Sequence, residues 1–327
     1  MVFLIYLSSV TLLSSCLRLP NEGIEEAPSY FYPRVDFLQR LEPRGNRILF
    51  GTNPGHTLLS ATKISTRTQP AYFSFSFNLG ELRSDWYRPL QDFLTRENHY
   101  SLLQIDIHIL NPNGQCYAQS ISDGFLNEQL DGLGFGLRQI GRPTILRFAP
   151  EFNTIWSTCD PQEYQTAWRR LGEVIRYRWN LRQVALVWTS SGEGHSSIMK
   201  YFPGDEYVDW WSLEVHTPKE LRNKTTDTVL HLASENGYPI LLGASTPLST
   251  TPKTSEQLWS MWFKPLFSFL REQPLIKALT YNNWIELETS GDPIVAEQFH
   301  LELSDPTYQL ADKYETLKWL LDLENPE

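Results

Sequence analysis

The sequence predicts an α/β protein that consists of a single (β/α)8 TIM barrel. Eight short apolar runs follow one another along the chain, and stretches with helical amphipathic patterns lie between most of them. Strands that alternate with helices form parallel sheets, and eight such units close into a barrel. The length of 327 residues suits one large barrel better than two small domains.

The predicted strands are the eight short apolar runs. They cover residues 47–51, 72–77, 102–109, 144–148, 184–188, 208–215, 240–243 and 276–281. We find no internal repeat and no low-complexity block that would indicate a second domain.

The clearest predicted helix covers residues 161–177 and follows the fourth strand. Asp160 can cap it, Pro161 suits its first position, and Glu163 completes a capping box. Its apolar residues share one face: Tyr164, Trp168, Leu171 and Ile175. Further helices are predicted over residues 86–95, 125–140, 219–236, 255–271 and 307–323. The intervals 52–69 and 189–202 show poor helical periodicity.

The N-terminal residues predict a targeting segment outside the barrel. An apolar run at residues 2–13 is too short for a membrane span and ends in Leu13-Ser14-Ser15-Cys16, which resembles a bacterial lipobox. We therefore expect a lipoprotein signal peptide at 1–15, lipidation at Cys16, a polar linker at 16–33 and the barrel at 34–327. An ordinary secretory signal and a buried strand are the alternatives. The expected location is the cell envelope or the medium, with the membrane reached only through the lipid.

Two cysteines remain after Cys16, namely Cys116 and Cys159. An exported chain meets an oxidising compartment, where paired cysteines form disulfides. Cys116 follows the third predicted strand and Cys159 follows the fourth, and adjacent strands of a barrel deliver their loops to the same face. The positions favour a disulfide, with two separate buried thiols as the alternative.

The overall charge argues against nucleic acid as a partner. The net charge is −10, whereas nucleic acids and anionic membrane surfaces attract clustered Lys and Arg. Aromatic residues make up 13% of the chain and include 11 Trp. Most of these rings belong in the core, but indole rings at strand ends also stack on the flat faces of sugars.

Two segments resemble glycoside hydrolase family 26, the β-mannanase family. The first is PTILRFAPEFNTIW at 143–156, an apolar strand that ends at Glu151. The second is YFPGDEYVDWW at 201–211. The family has Leu-Arg-Pro-Phe-His-Glu-Met-Asn-Gly at the first place and Tyr-Pro-Gly-Asp-x-Tyr-Val-Asp-Trp at the second. The matching positions are Leu146, Arg147, Glu151, Asn153, Trp156, Pro203, Gly204, Asp205, Tyr207, Val208, Asp209 and Trp210.

The resemblance implies a retaining glycosidase that acts on a β-linked polysaccharide such as mannan. It assigns the role of general acid/base to Glu151 and the task of orienting carboxylates to Arg147. The other roles for these two residues are a surface cap for Glu151 and a structural ion pair for Arg147. The resemblance further implies a sugar cleft lined by Asn153 and Trp156. Trp188, His216 and Trp284 are the remaining candidate substrate-binding residues.

Three positions depart from the family pattern. Pro150 stands where the family has His, His216 where it has Tyr, and Ala244 where it has the nucleophilic Glu of strand 7. Residues 236–255 contain no Asp or Glu at all. The standard double displacement is therefore not expected. Glu214, at the end of strand 6, is the first candidate for a substitute base, since inverting glycosidases tolerate more widely separated carboxylates. Glu286 and Glu288 are further candidates, and all three also suit ordinary ion-paired positions.

No cofactor and no catalytic metal are expected. His195, His216 and the acidic residues lack metal-ligand spacing, and the glycines at 131–136 lie in a helical region instead of following a strand. Three functions remain open: an exported glycoside hydrolase, an inactive surface-anchored glycan-binding protein, or a scaffold in polysaccharide assembly. We expect a monomer whose partner is a polysaccharide or oligosaccharide.

Overall fold

The computed structural model describes residues 41–310, except 44, 55–68, 98–101, 112, 155–157, 196, 246–253, 283, 286 and 288–290. The described residues belong to one compact unit, residues 32–327. The predicted signal peptide, the linker and the lipidation site at Cys16 lie outside the described residues. None of the described helices is long and apolar enough to cross a membrane.

Eight parallel strands close into a barrel, which confirms the predicted fold class. Neighbouring strands pair in sequence order, and β1 pairs with both β8 and β2. The strands are β1 (Ile48–Thr52), β2 (Tyr72–Asn78), β3 (Leu102–His108), β4 (Thr144–Phe148), β5 (Val184–Ser191), β6 (Trp210–Val215), β7 (Ile240–Ala244) and β8 (Ile276–Tyr281). A short ninth strand, β9 (Tyr308–Gln309), adds to the other side of β1.

The described helices follow the strands. They are α1 (Arg88–Glu97), α2 (Ala118–Ser122), α3 (Asn127–Ile140), α4 (Pro161–Glu173), α5 (Lys224–Asn236), α6 (Ser255–Leu258), α7 (Lys264–Glu272) and α8 (Pro293–Leu303). A π-helical turn, Val174–Arg178, extends α4, and another, Trp259–Phe263, joins α6 to α7. Asp160 caps α4 as predicted, because its carboxylate accepts hydrogen bonds from the backbone of Gln162 and Glu163.

Two helix predictions need correction. Residues 308–309 form β9, so a helix does not begin at 307, and residues 311–327 lie outside the described part of the chain. Helix α8 was not predicted, although Asp292 and Pro293 supply a cap and a first-turn proline. Among the described residues between β5 and β6 are two short 3-10 turns, Ile198–Tyr201 and Asp205–Tyr207, and no α-helix, consistent with the weak helical periodicity there.

Alternate residues of each strand face the barrel interior or the helical layer. The interior cluster contains Leu49, Tyr72, Ile145, Ala185, Val187, Trp210, Leu241 and Ala278. A larger apolar cluster, which includes Leu242 and Ala244 of β7, packs between the strands and the helices. Towards the carboxyl ends of the strands the interior positions become polar, which places a potential site at that face.

The predicted disulfide between Cys116 and Cys159 is present, with their Cα atoms 5.1 Å apart. It links the loops that follow β3 and β4. The backbone N–H of Cys116 also donates to Thr158 Oγ1 at 3.0 Å, so the two loops are joined by a hydrogen bond as well.

Candidate active site

A buried ion cluster lies inside the carboxyl end of the barrel. Arg147 of β4 contacts Asp106 of β3 with 3.1 Å between Nε and Oδ1, and its Nη1 donates to Glu214 Oε1 of β6. Because β4 and β6 are not adjacent, the contact between Arg147 and Glu214 crosses the interior. Arg147 therefore points inward and pairs with two carboxylates, as both the orienting role and the structural ion pair require.

Burial and charge compete within this cluster. Burial lowers the pKa of Arg147, but the carboxylates of Asp106 and Glu214 outweigh that effect and keep its pKa above the ordinary value. Burial raises the pKa of Asp106, although Arg147 opposes the change. The Arg147 side chain is buried, and its charge acts on the carboxylates around it.

A polar network forms the floor under the cluster. Gln104 Nε2 donates to Ser74 Oγ at 3.0 Å and to Asp106 Oδ1 at 3.0 Å. Thr280 Oγ1 donates to Gln104 Oε1 at 2.6 Å and also lies 2.8 Å from the Tyr72 hydroxyl. These bonds join β3 to β2 and to the non-adjacent strand β8, and they fix Asp106 from below.

Gly243 of β7 makes room for the Glu214 carboxylate. Glu214 and Gly243 are register partners, and a Cβ at Gly243 would collide with that carboxylate. Gly243 therefore faces the interior, whereas the next residue, Ala244, packs into the apolar layer under the helices. The inward-facing positions at the end of β7 are thus Gly243 and Ser245. Ala244, which the sequence analysis placed at the position of the nucleophilic Glu, lies on the opposite face of the strand.

Glu151 stands at the carboxyl end of β4 on a strained backbone. Ala149 and Glu151, on either side of Pro150, have positive φ angles of 48° and 61°. Residues other than glycine adopt a positive φ at a cost in free energy, and such strained residues concentrate at functional sites. The turn is held because the Glu151 N–H donates to Thr189 O at 2.9 Å and its carbonyl accepts from Thr154 N at 3.2 Å.

The carboxyl group of Glu151 holds its proton more tightly than an ordinary Glu. Burial raises its pKa, and the nearby charge of Glu214 raises it further, while His216 and Arg147 oppose the change. A raised pKa keeps a carboxyl group protonated nearer to neutral pH, as a general acid requires. Glu151 and Glu214 therefore differ in environment: the first lies half-buried at the mouth and the second lies ion-paired below it.

A cavity of about 170 Å³ adjoins Glu151. His108, at the end of β3, lines it together with Pro150, Thr154 and Tyr164. Burial lowers the pKa of His108, so its ring is neutral over a wider pH range than usual. The cavity thus presents a protonatable carboxyl group beside a neutral ring.

His216 and Ser245 complete the described mouth. The Nδ1 atom of the His216 ring lies 3.1 Å from Ser245 Oγ. The backbone N–H of His216 donates to the buried Glu220 carboxylate at 2.8 Å. Glu220 also accepts a hydrogen bond of 2.7 Å from Thr217 Oγ1. This turn fixes the His216 ring beside Ser245 at the end of β7.

Three predicted sugar contacts need correction because the side chains are buried. The Asn153 amide is used by the backbone, donating to Ser191 O and His195 O and accepting from Ser191 N. Trp188 stacks on Phe152 with ring centroids 4.7 Å apart. Trp284 stacks on Phe299 at 4.5 Å. Each of these three predicted residues stabilises the fold and exposes no surface to a sugar.

Several candidates are not described by the structure. Trp156, Glu286 and Glu288 lie outside the described residues. No group of three or more metal-ligating side chains that could hold a metal occurs among the residues with described positions. Sequence reasoning missed Gln104, Asp106 and His108, although they interrupt the apolar run LLQIDIH at every second position and so indicate one shared face.

Comparison with solved structures supports the fold. The Cellulomonas fimi endo-β-1,4-mannanase double mutant superposes with a TM-score of 0.64 at 15% identity, over 86% of this chain and 76% of that one. The catalytic domain of the Bacillus sp. JAMB-750 GH26 endo-β-1,4-mannanase also gives 0.64, over 88% of this chain and 93% of that one, at 15% identity. The chain has the fold of the family 26 mannanases.

Two curated relatives are similar in sequence. The β-1,3-xylanase TXYA of a Vibrio species is 24% identical over 234 residues, which is 60% of this chain and 50% of the relative. A β-1,3-xylanase of an Alcaligenes species is 25% identical over 192 residues, which is 52% of this chain and 40% of the relative. The chain therefore spans half or less of these relatives' length. No protein-family model matches it.

Proposed function

We propose that the chain binds a β-linked polysaccharide over the carboxyl ends of its barrel strands and hydrolyses it with Glu151 as general acid. The observation that carries the proposal is the raised pKa of Glu151 at the mouth, beside the ion-paired Glu214. The names of the similar proteins make β-1,3-xylan and β-1,4-mannan the first polymers to test.

In the proposed reaction the Glu151 carboxyl group donates its proton to the departing glycosidic oxygen. Arg147, which is itself paired with Asp106, holds Glu214 in place, and the Glu214 carboxylate is the base that takes a proton from the attacking water. His216 and Ser245 are placed to orient that water, since both can hydrogen bond at the end of β7. A water that attacks the face opposite the leaving group gives inversion of the anomeric carbon.

A panel of soluble polysaccharides tests the reaction through the release of reducing ends. Glu151→Gln should lower the hydrolysis rate by about 10²–10⁴-fold, since that is the usual contribution of a general acid. Glu214→Gln should also lower it, and NMR of the first product should show the inverted anomer. A retained anomer would contradict the role given to Glu214 and would indicate a nucleophile instead.

A second candidate function is glycan binding without hydrolysis. It is favoured by the inward positions of β7, Gly243 and Ser245, because neither supplies a carboxylate opposite Glu151. Binding of a polymer with no release of reducing ends, and equal binding by Glu151→Gln, would select this function over the first.

We further propose that the chain is exported and anchored by a lipid at Cys16. Support comes from the apolar run at residues 2–13 and the sequence Leu13-Ser14-Ser15-Cys16. The mature protein should begin at Cys16 and partition into detergent, whereas Cys16→Ala should stay uncleaved or soluble. An unmodified N-terminus beyond Cys16 would indicate ordinary secretion.

A further inference from the structure

A groove of about 400 Å³ lies on the outside of the barrel, between the segment before α1 and helix α3. It shares no lining residue with the cavity beside Glu151. We propose that this groove is a second binding site for a polysaccharide chain. The lining residues that carry the inference are Arg83, Gln129, Asp131, Gly132, Phe135 and Trp179.

The aromatic wall of the groove is fixed in place and partly exposed. Phe135 is 38% exposed and meets Trp179 edge to face, with ring centroids 5.9 Å apart. Trp179 packs over Gly134, where a Cβ would collide with it, and its Nε1 donates to Asp131 Oδ1 at 2.8 Å. Rings held in this way lose little freedom when a ligand binds. They can therefore stack on a sugar face at low entropic cost.

The floor of the groove is Gly132, inside helix α3. Glycine in a helix interior is unfavourable relative to alanine. Packing explains the glycines at 134 and 136, because a Cβ at Gly134 would collide with Trp179 and one at Gly136 would collide with Trp86. A Cβ at Gly132 would meet nothing within 4 Å, so packing does not require glycine there. The open backbone instead leaves room for a ligand to approach the helix.

The polar groups favour a neutral ligand that donates hydrogen bonds. Gln129 Oε1 is buried and has no hydrogen-bond partner among the described residues. The carboxylate of Glu128 adds an acceptor, whereas Asp131 is already bonded to Trp179 and Arg178, and Arg83 is paired with Asp85 at 3.1 Å. An anionic ligand would be repelled by this acceptor-rich surface, whereas sugar hydroxyl groups supply the donors it lacks.

A second groove adjoins the first across an ion pair, which favours a chain over a single sugar. The second groove, of about 510 Å³, is lined by Asn127, Arg170, Tyr177 and Arg178. Arg178 pairs with Asp131 at 2.8 Å, so this ion pair is the wall common to both grooves. Tyr177 is 70% exposed and offers another ring beyond it. The choice of a polysaccharide as the ligand rests on the proposed function, whereas the aromatic rings and the acceptor groups of the groove do not depend on it.

Retardation in native gels that contain soluble β-1,3-xylan or β-1,4-mannan tests the second site. Gly132→Leu fills the groove and Phe135→Ala removes the exposed ring. Each should weaken retention about three- to tenfold, the loss expected from one aromatic stacking contact. Met261→Ala is the control: it removes an apolar side chain that is 49% exposed and lines neither groove, and it should be retained like the wild type.

Different experimental results would contradict the second site and the proposed reaction. Hydrolysis of a short soluble oligosaccharide should be unchanged in Gly132→Leu, because the reaction lies at Glu151. Equal retention of Gly132→Leu, Phe135→Ala and the wild type would overturn the second site, as would a wild type that neither polymer retains. Weakened retention with no hydrolysis by the wild type would leave the second site standing and remove the reaction.

Discussion

At the scale of single residues, Glu151 joins a strained backbone to a carboxyl group with a raised pKa. Its φ of 61° places the side chain at the end of β4, where burial and Glu214 both disfavour its charged form. The sequence indicated the carboxylate and its strand, but the raised pKa depends on burial and on the charge of Glu214, which is 63 positions away.

Glu151 should make stability depend on pH in a defined direction. Its folded-state pKa is raised, so the native state holds a proton that the unfolded state releases, and stability falls as pH rises from the ordinary Glu range through the raised pKa. Glu151→Gln cannot titrate and should lose this dependence. Urea unfolding of both proteins across that range measures it. Parallel stability curves for the two proteins would contradict the raised pKa.

A carboxylate placed at the end of β7 should act differently at two adjacent positions. Ser245→Glu puts the group on the inward face beside His216, where it can support hydrolysis. Ala244→Glu puts a charge in the apolar layer under the helices and should destabilise the fold by several kcal/mol, about 3–5 if the charge stays unpaired. Thermal unfolding and reducing-end release measure both. A folded, active Ala244→Glu protein would show that Ala244 faces the site.

At the scale of elements, strands were predicted better than the contacts between them. Residues 144–148 and 276–281 were predicted with the bounds that β4 and β8 have, because a short apolar run between polar residues can be recognised from its own sequence. Helix α8 was missed because its exposed face carries Ile294 and Leu301, which obscure the amphipathic pattern. Which face of β7 meets the site depends on its pairing with β6, and no local pattern carries that information.

The pairing of β6 and β7 predicts a sharp difference between two glycines. Gly243→Ala should destabilise the protein by about 2–4 kcal/mol, because the added Cβ displaces the Glu214 carboxylate from Arg147. Gly132→Ala should instead stabilise α3 by up to about 1 kcal/mol. Urea unfolding gives both values. Equal effects of the two substitutions would show that Glu214 does not occupy the space above Gly243.

At the scale of the whole molecule, the alternation of strands and helices was enough to predict the closed barrel. The site was predicted less completely, since its ion cluster joins β3, β4 and β6 across the interior. The sequence also did not distinguish buried tryptophans from exposed ones. Trp188 and Trp284 were predicted to bind sugar, but both pack in the core. Composition reveals how many rings there are, and only packing reveals which of them are accessible.

The disulfide should stabilise the molecule without being required for the barrel. It closes a loop with a sequence separation of 43, for which chain entropy predicts a stabilisation of at most about 4 kcal/mol. The strands β3 and β4 pair independently of it, so a variant with both Cys116→Ser and Cys159→Ser should fold with an unchanged circular dichroism spectrum and unfold at lower urea concentration. Adding a reductant should shift the wild type towards the variant and leave the variant unmoved. If reductant shifted both equally, the stabilisation would have to come from something other than this bond.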